Sequence, residues 1–252
     1  DELWLAFHGY GQEAEVMQHF MQSLKPNARI LSFDLPLHGK TEVRSKFQLT
    51  KDQLQTSDLA DLVGRILREN TSKRCSLAGF SLGGKLVLKL VELVPGKLDS
   101  LLLVAPDGLR MNPFYNFATN TMFGRAAFRL IIKHPGPFFG ISKMLSHSGL
   151  MHRKVHEFVA NQMGTRKKRE KVYNSWQMFK NVTPILRDVR SKIWRYHIKP
   201  TLVFGKHDKV IHPRLAKKLS GTNCTTAEVI FLNTGHRLLT KENAEILRKG
   251  VP

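Results

Sequence analysis

The stretch Arg74 to Gly84, RCSLAGFSLGG, constrains this chain more than any other. An apolar run, Cys75 to Ala78, meets Gly79-Phe80-Ser81-Leu82-Gly83, and an amphipathic stretch follows to Val94. Strand, sharp turn and helix in that order are what a G-x-S-x-G elbow requires. So tight a turn forces Ser81 into a strained backbone conformation with its hydroxyl exposed. A Cβ at Gly79 or Gly83 would clash with the neighbouring strand and helix. The helix then points its N-terminus, and the N–H of Leu82, at any anion forming beside Ser81.

The rest of the chain supplies a matching rhythm. Leu3 to Phe7, Ile30 to Phe33, Leu101 to Ala105, Thr201 to Phe204 and Glu228 to Leu232 read as buried strands. Between them lie helical patterns: Gln12 to Leu24, Leu59 to Leu67, the stretch after the elbow, Arg214 to Leu219, and Lys241 to Arg248. Thr50-Lys51-Asp52-Gln53 has the form of a capping box for the second of these. After the elbow, Leu82, Leu86, Val87, Leu90 and Val91 are expected to face the core, with Lys85, Lys89 and Glu92 facing out. Apolar strands alternating with helices predict an α/β fold with a mostly parallel sheet of about six strands, covered on both faces.

The stretch from Asp107 to Arg195 breaks this rhythm. It shows helical patches and Gly/Pro breaks but no convincing strand, and it holds 12 of the 22 aromatic residues. The expected organisation is therefore a core at 1–106 and 196–252 with a helical insertion at 107–195. That insertion carries 17 Lys and Arg against 4 Asp and Glu, so +13 of the chain's net charge of +20 lies there. A basic field of this size attracts anionic small molecules, an anionic membrane surface or nucleic acid, without saying which. Arg166-Lys167-Lys168-Arg169 reads as a solvated helix face; no nucleic-acid module accompanies it, so no nucleic acid is expected.

Two cysteines, Cys75 and Cys224, suit a reducing compartment rather than a disulfide framework. No apolar run reaches the roughly 18 residues of a membrane span, and the chain shows no signal peptide, although it opens without Met. The expectation is a cytoplasmic protein. Gly39-Lys40-Thr41 is not a phosphate loop, because Asp34 stands where that motif needs Gly. His152 and His156 have zinc-ligand spacing, but no HExxH pattern accompanies them and no third ligand is evident. No metal or other cofactor is expected.

Chemistry enters with two more loops. Asp208 follows the strand TLVF, and His236 follows the strand VIFL. In an open parallel sheet the ligand crevice lies at the carboxyl ends of the strands. Ser81, Asp208 and His236 each sit just past such an end, in the order nucleophile, acid, base.

These features together resemble the α/β-hydrolase superfamily, in the branch with a helical cap inserted after the sixth strand of the standard fold. HGYG at His8–Gly11 resembles that family's oxyanion loop, and DLPLHGKT at Asp34–Thr41 its Asp-x-Pro-x-His-Gly loop. GFSLGG resembles its elbow, GKHDKVIHP its acid loop and TGH its histidine loop. The chain starts at what would be the family's third strand. The resemblance implies Ser81 as nucleophile, His236 as general base and Asp208 as the group that fixes the histidine tautomer. It also implies an oxyanion hole from the N–H groups of Tyr10 and Leu82, with His8 and His38 shaping the site rather than acting as bases. Lys206 and Lys209 flank Asp208 and are expected in solvent. Phe114, Tyr115, Phe117, Phe123 and Phe128, with Phe138 and Phe139, are candidates either for an apolar substrate wall or for the insertion's own core.

The expected activity is hydrolysis of a carboxylic ester through an acyl-enzyme. The same resemblance also covers carbon–carbon bond hydrolases and the menaquinone-pathway lyase, both acting on anionic substrates. A non-catalytic binding protein on the same fold is a further alternative, since fold does not decide function.

Overall fold

A computed structural model describes residues 2–41, 53–220 and 227–250. The predicted capping box at Thr50–Gln53 lies outside the described residues, apart from Gln53. Cys224 lies outside them as well.

Six strands form one sheet: β1 (Leu3–Phe7), β2 (Arg29–Phe33), β3 (Cys75–Phe80), β4 (Leu98–Val104), β5 (Lys199–Gly205) and β6 (Glu228–Leu232). Every pairing is parallel, and the spatial order is β2-β1-β3-β4-β5-β6. Parallel strands need crossovers, and helices supply them. α1 (Ala14–Leu24), α2 (Thr56–Glu69) and α3 (Leu82–Leu93) join the first four strands. β1 and β3 are buried along their whole length, while the edge strands β2 and β6 are only partly covered. That is the burial expected of a sheet with helices on both faces. The chain runs from β1 to β2 on one side, then returns to β3 on the other. The switch point therefore falls between β1 and β3, where crevices form in such sheets.

The described start of α2 uses a capping box of its own. Gln55 accepts from the third helical N–H, and Asp58 Oδ2 accepts from Gln55 N–H at 2.9 Å. Two otherwise orphaned donors are satisfied there.

Between β4 and β5 lie α4 (Pro113–Asn120), α5 (Met122–Lys133), α6 (Gly136–His147), α7 (Arg153–Met163), α8 (Arg166–Met178) and α9 (Leu186–Arg195). The last of these changes the surroundings of α3, which departs from the outward-facing pattern expected of it. Leu86, Val87, Leu88, Leu90 and Val91 are buried, but so is Lys85, at 4% exposure. Each buried aliphatic side chain contributes about 1.5–3 kcal/mol. Lys89 and Glu92 pair at 2.8 Å, largely buried rather than solvated. The reason is that α9 packs on α3. Glu92 Oε1 accepts the N–H of Ile185 at 2.5 Å, and Lys192 donates to the carbonyl of Glu92.

Two compact units result. Of the described residues, the first comprises 2–41, 54–110, 182–220 and 227–250, and the second 53 and 111–181. α9 therefore belongs with the sheet, although the sequence pattern groups it with the insertion. Its buried Val189 and Ile193 are what the composition of 107–195 does not separate from the helices before it. The first unit closes with α10 (Lys217–Ser220), after a short 3₁₀ turn, and α11 (Lys241–Lys249), which packs on α1.

The second unit is helical and holds α4 to α8. Asn112, Thr121, His152 and Thr165 each cap a helix start through a side-chain acceptor. An aromatic cluster holds the unit together. Phe128 lies 6.2 Å from Phe114, 5.3 Å from Tyr173 and 5.4 Å from Trp176, ring to ring. Arg169 corrects a second expectation. It is 6% exposed, and its guanidinium donates to the carbonyls of Ile132, Met163 and Gly164. It thus closes the C-terminal ends of α5 and α7. Arg166, Lys167 and Lys168 are exposed, as expected. Among the described residues no helix is long and apolar enough to cross a membrane.

Candidate active site

The site is built at the carboxyl ends of four strands of the first unit. β3 delivers Ser81, whose φ of 49° and ψ of −112° are unusual for a residue with a Cβ. A backbone held there costs about 1–3 kcal/mol and persists only when its surroundings over-determine it. The surroundings do so. Ser81 N–H donates to Val104 O at 3.0 Å, and its carbonyl accepts from Asp107 N–H at 2.9 Å and Lys85 N–H at 3.3 Å. The two elbow glycines make the close approach possible. A Cβ on Gly79 would lie 2.5 Å from Gly83 O, and one on Gly83 would lie 2.0 Å from Phe7 O. The helix therefore presses directly on the backbone of β1, and Leu82 opens α3 with a first-turn N–H that has no intrahelical acceptor.

The loops after β5 and β6 deliver Asp208 and His236. Asp208 is 1% exposed, and its Oδ1 accepts from the N–H groups of Val210 at 2.8 Å and Ile211 at 2.9 Å. Its Oδ2 lies 2.7 Å from His236 Nδ1. With both carboxylate oxygens engaged as acceptors, Nδ1 is the donating nitrogen of the imidazole. Nε2 is then the nitrogen left to accept a proton. The two loops interlock. Gly205 has no room for a Cβ, which would meet Gly235 O at 2.3 Å, and His207 N–H donates to Thr234 O at 3.0 Å. Phe80, one residue before Ser81, lays its ring 5.1 Å from that of His236.

The loop after β1 lies against the same elbow. A Cβ on Gly9 would sit 2.7 Å from the Phe80 ring. His8 is fully buried, with Nδ1 at 2.7 Å from Gly9 O and Nε2 accepting from Leu35 N–H at 3.0 Å. One nitrogen donates and the other accepts, so this imidazole is a neutral brace between two loops. His38 is buried, packs 5.4 Å from His8 and meets Tyr10 edge-on at 5.4 Å. Burial pushes the Tyr10 phenol up to about 12.

Sequence reasoning leaves two residues of this region without a role. Asp34 accepts the N–H of Ala14 at 2.7 Å and that of Lys40 at 2.9 Å, tying α1 to the loop after β2. Those hydrogen bonds, Lys40 first, hold its carboxyl below the usual carboxylate range. The second is Lys85, whose ammonium burial depresses to about 8, against the opposing pull of Asp107. Asp34 has a signal in its loop motif. Lys85 has none, because a lysine on an amphipathic helix reads as solvated.

The remaining candidates fall elsewhere. His152 caps α7 by accepting from Lys154 N–H at 3.2 Å, whereas His156 Nδ1 lies 2.7 Å from Ser142 Oγ. The two histidines thus serve separate contacts. Cys75 is buried, and burial pushes its thiol up to about 12. Lys206 and Lys209 are exposed beside Asp208. Of the aromatic candidates, Phe128 is wholly enclosed at 1% exposure in the helical unit's own core, and Tyr115 is half-buried with its hydroxyl near Trp176 O. Phe114, Phe117 and Phe123 are exposed at 40%, 44% and 75%.

Comparison with known proteins agrees with this architecture. Residues 1–240 match the family described as serine aminopeptidase, S33, and the chain belongs to that family. It is an α/β-fold hydrolase of the α/β-hydrolase superfamily. An uncharacterised hydrolase of Bacillus subtilis, YugF, is 24% identical over 97% of this chain and 86% of its own length. Two solved structures share the fold. A thermophilic esterase from Thermogutta terrifontis, with malate bound, has a TM-score of 0.63 at 16% identity, over 99% of this chain and 86% of its own. An α/β hydrolase from a Medee basin deep-sea metagenome library has a TM-score of 0.66 at 12% identity, over 98% and 87%.

Proposed function

We propose that Ser81, His236 and Asp208 form the catalytic triad of a serine hydrolase that cleaves carboxylic esters through an acyl-enzyme. The observation that carries this reading is the 2.7 Å contact from His236 Nδ1 to a buried Asp208. It leaves Nε2 as the base, on the same sheet edge as a serine strained into an elbow.

Ser81 Oγ attacks the ester carbonyl carbon while its proton passes to His236 Nε2. Asp208 stabilises the imidazolium so formed. The carbonyl oxygen becomes an oxyanion, received by the N–H groups of Tyr10 and Leu82, each worth about 3 kcal/mol. The C–O bond to the alcohol then breaks, and the alcohol departs with the proton held on Nε2. Water repeats the sequence on the acyl-enzyme and frees the acid. The helical unit is assigned substrate selection as a cap, with Phe114 and Phe117 offering apolar contact and its basic charge favouring acyl or aromatic esters that carry a negative group.

Intact-mass labelling with a fluorophosphonate tests the triad. The expected result is one adduct on wild type and none on Ser81→Ala, followed by turnover on an ester panel of varied acyl length. Folded wild type without an adduct would overturn the reading and favour carbon–carbon bond cleavage or a binding role.

A further inference from the structure

The helical unit carries apolar side chains on faces that its own packing does not use. On α5, Gly124, Phe128 and Ile132 are buried at i, i+4 and i+8. The opposite face, Phe123, Ala126, Ala127 and Leu130 at i, i+3, i+4 and i+7, is also apolar and is exposed, with Leu130 at 61%. α6 likewise exposes apolar residues, Pro137, Gly140, Ile141 and Met144; Ile141 stands at 57% and Met144 at 63%. Leu150, just beyond, is 80% exposed. A surface helix ordinarily buries one apolar stripe and solvates the rest with charge, and a larger apolar exposure marks an interaction site.

The charge along α5, α6 and their flanking segments has one sign. Residues 108–156 contain no Asp or Glu, yet hold Arg110, Arg125, Arg129, Lys133, Lys143, Arg153 and Lys154. Arg129, Lys133 and Lys143 are themselves exposed, on the same two helices.

We propose that α5 and α6 dock on an anionic lipid surface. Leu130, Ile141 and Met144 enter the acyl boundary, while the neighbouring arginines and lysines meet the phosphate headgroups. Charge selects this occupant over the others. A second copy of the chain would set positive against positive, and a nucleic acid would engage the cations but leave the aliphatic faces in water. The proposal does not rest on the serine chemistry.

The test is co-sedimentation of the whole chain with phosphatidylcholine vesicles, with and without phosphatidylglycerol. Binding is expected only with phosphatidylglycerol present, weakening as salt is raised. Leu130→Asn with Ile141→Asn is expected to weaken it about tenfold or more, and Arg129→Glu with Lys143→Glu by a similar factor. Far-UV circular dichroism and Tm of both double variants should stay at the wild-type level, which certifies their fold. Ser81→Ala should bind as wild type does, so that failure of the triad and failure of docking read differently. Equal binding to neutral vesicles, no binding to either, or a dimer in light scattering that the asparagine pair abolishes would each overturn the proposal.

Discussion

The elbow and helix α6, one in each unit, use glycine in opposite ways. At the elbow, Gly83 sits where a Cβ would strike a neighbouring strand's carbonyl at 2.0 Å. On α6, Gly140 has nothing within 4 Å of where its Cβ would be. In the first unit, backbones touch, and side chains are positioned by strand register and loop hydrogen bonds. In the second, α4 and α5 also touch at Gly124, where a Cβ would lie 2.0 Å from Phe117 O, but side chains pack around Phe128 and the outer face of α6 has open space at Gly140. A site that must hold reacting groups to a fraction of an ångström belongs on the first kind of scaffold.

The largest effect separating the two regions is expected at Asp208. Asp208→Asn should lower kcat for an ester about 10⁴-fold with little change in KM, because the imidazole loses its tautomeric partner. Steady-state kinetics check this, and a loss below about tenfold would argue against the triad. Gly83→Ala should destabilise by about 3 kcal/mol or more, as β1 and α3 are driven apart, with a matching fall in Tm.

Lys85 sharpens the comparison through pH. Its folded pKa of about 8 lies below the ordinary 10.5, so between those values the unfolded chain binds the extra proton. Stability should therefore rise with pH across that window, by roughly 2–3 kcal/mol from this group. Below about pH 8 the buried charge costs its full amount. Urea titrations at about pH 7.5 and about pH 10 should show that rise in wild type and a flatter response in Lys85→Met. The smallest effect is expected at Gly140→Ala, which should raise stability by up to about 1 kcal/mol, since it restores helix propensity and meets no neighbour. A loss there would mean that the outer face of α6 is not free space.

Much of the first unit is legible in the sequence. Each strand announces itself as a short apolar run ending in a Gly, Asp or His loop. The elbow glycines imply their own clashes, because only a tight strand-to-helix turn needs two of them four residues apart. The histidine and acid are legible by position, each just past a strand. The burial of Lys85, the burial of Arg169 and the membership of α9 escape the sequence pattern for one common reason. Periodicity reports which residues share a face, and it is silent on whether a second element covers that face. Arg169 reads as one more cation in RKKR until three carbonyls surround it.

The sequence by itself determined the parallel α/β sheet, the elbow and the chain order of Ser81, Asp208 and His236, because strand runs, turn glycines and loop motifs are local signals carried by adjacent residues. Only the tertiary structure decided the strand order β2-β1-β3-β4-β5-β6, the neutral brace at His8, the burial of Lys85 and the exposure of apolar faces on α5 and α6. Those depend on contacts between residues far apart in the chain, whose energies no local pattern encodes.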